Sequence, residues 1–321
     1  MTMTLKKLFL AAVAVVLNTA IVRAEPKIVA ITSIIEHTAL NAVKDGAVEE
    51  LARQGFKDGE NIQILYENAQ GQPSIAGQIS RQFIGKNPAV IIAISTPSAQ
   101  SVLSVTKKIP VVFSAVTDPV GAKLVKSNDA GNGNVTGVSD KMPVEEQLKL
   151  IKEIVPSATK IGVIYNPGET NSVSSVQELK EVAATMGFEV IDAPAMKTAD
   201  VQSAARSLIG KADVMYAPTD NTVMATIESV TMVGQSAKIP FFTADTNSVS
   251  RGAVASIGFS YYQLGIETGK LAARILKGED PNKMPVVYSK TFDLFVNKSA
   301  AVKYGITFSD EILERATEII E

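Results

Sequence analysis

Short, unbroken apolar runs alternate with longer stretches whose apolar residues recur every three or four positions, and this rhythm continues along most of the chain. Lys27 to Ser33 reads as a first strand. Thr38 to Gln54 follows with Leu40, Val43, Ala47, Val48 and Leu51 at helical spacing, and Gly55 stands where a left-handed cap closes a helix. Asn61–Glu67, Ala89–Ile94, Ile109–Phe113 and Val135–Ser139 read as further strands, with helices over Ser74–Ile84 and after Ser98. The second half repeats the alternation. Helices are expected over Val144–Val155, from Ser172 through Met186, over Asp200–Ile209, Thr222–Ser236 and Tyr261–Lys277, and a closing one over Asp310–Ile320. Strands are expected at Lys160–Tyr165, Phe188–Ile191, Val214–Ala217, Ile239–Phe242 and Ala253–Gly258, with one or two more across Val286–Val296. Strands alternating with helices at this pace predict parallel sheets covered by helices on both faces.

Two stretches share one grammar. Ala89–Ile94 ends at Ser95-Thr96-Pro97-Ser98, a helix follows, and Ile109-Pro110-Val111-Val112-Phe113 runs on to Thr117-Asp118-Pro119. Val214–Ala217 ends at Pro218-Thr219-Asp220-Asn221, a helix follows, and Ile239-Pro240-Phe241-Phe242 stops at Thr243-Ala244-Asp245. The duplication predicts an α/β protein of two Rossmann-like lobes, each a parallel sheet flanked by helices. The chain is expected to cross between them near Ser139, Tyr261 and Pro285, a three-segment hinge. One lobe then holds residues 25–139 and 261–285, the other 140–260 and 286–321. Ligands of open α/β sheets sit beyond the carboxyl ends of the strands, so two such edges facing each other make a cleft.

The first 24 residues change the picture. Lys6-Lys7, the apolar run Leu8–Leu17 and Val22-Arg23-Ala24 before Glu25-Pro26 have the pattern of a secretory signal peptide. The run is too short for an ordinary membrane span. Taking Lys6, Lys7 and Arg23 from the 31 basic residues leaves 28 against 33 acidic ones, and no basic tract points to nucleic acid. Cysteine is absent, which removes disulfides and a lipid-modified cysteine together. A soluble, monomeric periplasmic protein without a lipid anchor is expected.

The candidate chemistry lies at the strand ends. Thr96 and Ser98 offer hydroxyls beside free N–H groups at a helix start, which suits a carboxylate and equally suits a plain helix cap. Asp118, Asp220 and Asp245 follow strands, where a carboxylate receives an ammonium or closes a local turn. Asp220 is the first choice for the ammonium and Asp245 the second. Thr117, Asn171, Ser172, Thr219 and Asn221 complete the polar set, with Glu36 and Tyr165 as weaker candidates, Tyr165 equally suited to core packing. His37 is the only histidine and no cysteine accompanies it, so metal centres, cofactors and histidine-based catalysis find little material and no enzyme is expected. Gly265-Ile266-Glu267-Thr268-Gly269-Lys270 has the wrong spacing for a phosphate loop and reads as helix interior.

These segments together resemble a known family. Glu36-His37-Thr38-Ala39-Leu40, Tyr66–Gly71, Thr96-Pro97-Ser98-Ala99, Thr117–Gly121, Gly133–Asp140, Tyr165–Ser172, Pro218–Thr222 and Arg251-Gly252-Ala253 carry the likeness, which spans about residues 27 to 310. The chain resembles the substrate-binding proteins of ABC importers, and within them the tryptophan/tyrosine-binding group. The resemblance implies a type I periplasmic-binding fold, two lobes closing on an amino acid (aromatic and branched ones included), and delivery to an inner-membrane ABC permease. A sensory protein presenting its ligand to a chemoreceptor or kinase is the alternative. Thr38 stands where this group often has proline, and the absence of Trp leaves ring stacking to Tyr or Phe.

Overall fold

The computed structural model describes residues 25–289 and 291–321, so the expected signal peptide lies outside the described residues. The first half runs β1 (Lys27–Ser33), α1 (Thr38–Arg53), β2 (Ile62–Asn68), α2 (Pro73–Gly85), β3 (Val90–Ile94), α3 (Thr96–Val105), β4 (Val111–Ser114) and β5 (Val135–Ser139). The second half runs α4 (Val144–Ile154), β6 (Lys160–Tyr165), α5 (Thr170–Thr185), β7 (Glu189–Pro194), α6 (Val201–Arg206), β8 (Val214–Ala217), α7 (Asn221–Met224), α8 (Ile227–Ala237), β9 (Phe241–Thr243) and β10 (Ala255–Gly258). The chain returns with α9 (Tyr261–Leu276) and β11 (Val287–Tyr288), then closes with β12 (Asp293–Asn297), α10 (Lys298–Tyr304), α11 (Asp310–Arg315) and β13 (Glu318–Ile320).

Six strands form the first sheet in the order β11-β5-β4-β3-β1-β2, all parallel. Every residue of β3 is buried, as expected for a central strand covered on both faces. A four-stranded parallel sheet, β7-β6-β8-β9, forms the second. A mixed three-stranded sheet, β10-β12-β13, adjoins it, tied on by the Val254 N–H donating to the Phe241 carbonyl at 2.7 Å.

Helix α9 belongs to the first lobe because it lies against α1. The two backbones approach so closely that a Cβ at Gly46 would stand 2.3 Å from the Tyr262 carbonyl, and one at Gly265 2.2 Å from that of Val43. Gly265 and Gly269 are helix interior, and the crossing is the physical reason for two glycines four residues apart. Thr268, on the same helix, hydrogen-bonds Ser114 at 2.6 Å across the core.

Besides shifts of a few residues at element ends, three features differ from expectation. Val287–Tyr288 pairs with Val138–Ser139, so the chain leaves the first sheet after Tyr288 rather than near Pro285. The helix expected over Thr222–Ser236 is two, because Thr226 leaves helical geometry (φ −134°, ψ 33°) and starts α8 anew. The closing helix ends at Arg315, and Glu318–Ile320 pairs with Phe295–Asn297 instead. That pairing partner is remote in sequence, so local periodicity does not reveal it.

Candidate functional site

The carboxyl ends of both sheets face one another, and the chain at those ends is unlike ordinary loop. After β3, Ser95 has φ 82° and after β4, Ala115 has φ 52°, two non-glycine residues in the left-handed region. Such conformations cost about 1–3 kcal/mol each and persist where the surroundings impose them. Ser95 turns the chain so that α3 starts at the sheet edge, and its side chain makes no cap to the helix N–H groups. Pro97 supplies no N–H, while Thr96 is buried with its Oγ1 unpartnered. Here the start of α3 is a buried, electropositive helix end that the protein itself leaves open.

The matching end in the second lobe is filled. Asp220 caps α7 by accepting from the Val223 N–H at 2.7 Å, and its other oxygen accepts from the Asn166 N–H and the Ser172 hydroxyl, each at 2.6 Å. Glu169 accepts from the Asn221 N–H at 3.2 Å and its side-chain amide, from the Thr222 N–H at 3.1 Å and hydroxyl at 2.8 Å, and from Asn171 at 3.2 Å. Asn171 in turn donates to the Thr219 carbonyl at 2.7 Å, and its Oδ1 is left buried without a donor.

Between these ends lies a small cavity of about 20 Å³. Three carboxylates line it: Asp220 and Asp245 from the second lobe, and Asp140 from the hinge strand after β5. Asp140 accepts from the Thr117 hydroxyl at 2.8 Å and the Tyr261 hydroxyl at 3.1 Å. Asp245 accepts from the Ser248 hydroxyl at 2.7 Å and the Asn247 N–H at 2.9 Å. Burial pushes Asp140 up to about 6 against the help of its two hydroxyl partners. Burial raises Asp245 too, and burial together with the negative Glu169 beside it raises Asp220. His37 is the one basic side chain among the described residues lining the cavity. Burial and the positive Arg251 nearby lower it to about 4, so the ring is neutral at pH 7 and its Nδ1 is unpartnered. The cavity is therefore rich in acceptors and lacks a fixed cation.

The structure brings Thr117, Asn171, Thr219, Asp220, Asn221 and Asp245 together around this space. It places the other candidates elsewhere. Thr96 and Ser98 lie in the first turn of α3 and do not line the cavity. Ser172 holds Asp220 from behind. Asp118 closes a turn onto the Gly121 N–H at 2.8 Å and accepts from Ser174 of the other lobe at 2.9 Å. It is a turn and a cross-lobe contact, and a Cβ at Gly121 would stand 2.1 Å from its carboxylate. Glu36 is exposed and accepts from the Tyr66 hydroxyl at 3.3 Å, and Tyr165 packs on the core beside β7; neither lines the cavity. Asp140, His37, Tyr261 and Met224 were not expected there. Asp140 carries the same signal as the other candidates, a carboxylate directly after a strand.

The lobes are closed on each other. Besides Asp118–Ser174, Thr117 meets Thr219 at 3.0 Å and Gln100 donates to Thr170 at 3.3 Å.

Comparison with known proteins decides the family: the model for "ABC transporter substrate binding protein" matches residues 28–320. The chain belongs to that family. A "Tyrosine-binding protein" of Clostridioides difficile is 39% identical over 85% of this chain and 79% of its own length. A Vibrio cholerae structure described as a conserved domain protein is 48% identical, with a TM-score of 0.90 over 92% of this chain and all of its own. A Streptococcus pneumoniae ABC domain in complex with L-Trp is 33% identical, with a TM-score of 0.89 over the same shares. A ligand-free, open substrate-binding protein with adhesive properties from Clostridium difficile is 39% identical yet reaches only 0.69, over 92% of this chain and 99% of its own. This substrate-binding protein thus superposes better on the ligand-bound relative than on the more identical open one, in keeping with its cross-lobe contacts. More distant structures, one with bound myo-inositol and one described as a glucose-galactose binding protein, share the type I periplasmic-binding fold. Among the described residues no helix is long and apolar enough to cross a membrane.

Proposed function

We propose that this substrate-binding protein captures a free amino acid, aromatic or branched ones included, between its lobes and presents it to an ABC permease from the periplasm. The observation that carries the reading is the charge pattern of the cleft: three buried carboxylates around a cavity without a fixed cation, next to a buried helix end without an internal anion. A zwitterion supplies both missing partners. Its ammonium is held by Asp245 and Asp140, with Asp220 and the free Asn171 Oδ1 beside them. Its carboxylate is directed toward the start of α3, whose Thr96 hydroxyl and first N–H groups, with Ser98 next to them, lie outside the cavity wall and become reachable as the lobes part. Charge-assisted hydrogen bonds of this kind are about twice as strong as neutral ones. The relatives described as tyrosine-binding and as bound to L-Trp support an amino-acid ligand.

Asp220 takes a different part from the one its sequence position suggests. Three protein donors already occupy its oxygens, so it adds charge to the cavity while its hydrogen bonds hold the second-lobe tip rigid. Ligand contacts from both lobes shift the population toward the closed arrangement. The test is isothermal calorimetry on mature protein unfolded and refolded to remove carried-over ligand. Titration with the twenty amino acids should give saturable binding by one or more, lost when the ligand's amine is acetylated. Binding confined to sugars or nucleosides would overturn the zwitterion reading while leaving the family intact.

A further inference from the structure

Parallel neighbours in a sheet are ordinarily joined through a helix, and the connection from β4 to β5 breaks that pattern. It runs over residues 115–134 without a helix, and Lys123 within it stands in the left-handed region at φ 59°. Between this connection and the end of α3 lies a groove of about 680 Å³ that shares no lining residue with the cavity between the lobes. Leu103, Leu124, Val125 and Val135 form its buried floor, and Val120 beside them is 40% exposed. Lys107, Lys123 and Lys126 line it as well. All three are exposed, and none makes an ion pair or a side-chain hydrogen bond among the described residues. No carboxylate lines the groove among those residues, in a mature chain whose 33 acids outnumber its 28 bases.

The rest of the wall is occupied with itself. The Gly131 and Gly133 N–H groups donate to the carbonyl and the Oδ1 of Asn282, both at 2.7 Å, and Asn132 accepts from the Lys126 N–H at 2.9 Å. The glycine-rich turn thus offers no nest of free N–H groups to a phosphate, and three ammonium groups above an apolar floor remain. A bilayer surface is flat and meets the rim of such a groove rather than its floor. We infer that the groove docks an acidic segment of a partner protein, with carboxylates on the three lysines and an apolar side chain against the floor. The tip that leads into the groove carries Asp118, bonded to Ser174 of the second lobe, so the docked segment lies near the junction of the closed lobes.

The test is fluorescence anisotropy with a labelled peptide of glutamates carrying a leucine at every fourth position, titrated with the mature protein at about 50 mM salt. Binding should be saturable and should weaken by at least about tenfold at about 300 mM salt, a reading of the contact that needs no substitution. The triple variant Lys107→Glu, Lys123→Glu, Lys126→Glu should weaken it by at least about tenfold as well. The control Lys86→Glu, Lys211→Glu, Lys303→Glu reverses exposed lysines outside the groove, changes the net charge equally, and should leave the affinity within about threefold. Equal melting midpoints show that both variants are folded. Absence of binding, or an equal loss in the two triple variants, overturns the groove. Tighter capture by phosphatidylglycerol vesicles than by the peptide, lost in the groove variant, assigns the lysines to a membrane surface and overturns the protein partner.

Discussion

The tips that follow β3 and β8 are built from one sequence grammar and end in opposite electrostatic states. After β8, Asp220 and Glu169 accept from nearly every donor in reach, so the start of α7 is sealed by the protein's own carboxylates. After β3, Ser95 is strained, no side chain caps α3, and the Thr96 hydroxyl is buried with nothing to meet it. The first tip is missing an anion and the second concentrates negative charge. On the proposed reading, a cleft closed between them selects for a ligand that carries both charges a short distance apart. The repeated unit accounts for the shared architecture, and on the proposed reading the difference between the tips accounts for the choice of ligand.

If the second tip is sealed by its own groups, the largest effect belongs to Asp220. Asp220→Ala leaves the Asn166 and Val223 N–H groups and the Ser172 hydroxyl without their acceptor, at about 1–3 kcal/mol for each buried group that stays unsatisfied. Urea denaturation of the ligand-free variant should show a loss of about 3 kcal/mol or more, and calorimetry a weakened ligand as a consequence. A variant as stable as the parent would mean that Asp220 serves the ligand alone, and the contrast between the tips would collapse.

The next effect is in pH. Asp140 must be ionised to meet an ammonium, and burial pushes it up to about 6. Below that value the ligand has to displace a proton, so affinity should fall by about tenfold or more for each further unit of acid, with Asp220, raised to about 7 by burial and Glu169, extending the slope upward. His37 acts in the same direction only lower down: neutral until about 4, it then adds a positive charge where the ammonium sits. Calorimetry from about pH 4.5 to 7.5 reads the slope, and Asp140→Asn should remove the part of it centred near 6 while weakening binding at neutral pH. An affinity flat with pH in the parent protein would place the ammonium away from Asp140.

The strands that build the cleft were legible because buried parallel strands are continuous apolar runs, which β3 and β6 show in their sequences alone. Helix α1 was equally plain from its apolar spacing and Gly55, whose φ is 90°. What escaped depends on partners far along the chain. Whether a carboxylate after a strand meets a ligand or a neighbour is settled for Asp220 by the N–H of Asn166 and for Asp118 by the hydroxyl of Ser174, both more than fifty residues away in sequence. Asp140 has the same local pattern as these, and nothing in that pattern shows that it lines the cavity from the segment after β5. Strand β13 is likewise made by its partner β12 rather than by its own three residues.

The smallest effect tests the open tip. Thr96→Val keeps the shape of the side chain and removes a hydroxyl that no protein group uses, so folding stability should stay within about 0.5 kcal/mol of the parent, the usual range for a change that breaks no internal contact. Ligand affinity should nonetheless drop by about 1 kcal/mol, the net worth of one hydrogen bond and roughly fivefold in dissociation constant. The pairing of the two readouts matters more than either value. A stable protein with weakened binding assigns the hydroxyl to the ligand's carboxylate. A destabilised protein with unchanged binding would make Thr96 an ordinary structural residue, and would move the anion site from α3 to some other part of the cleft.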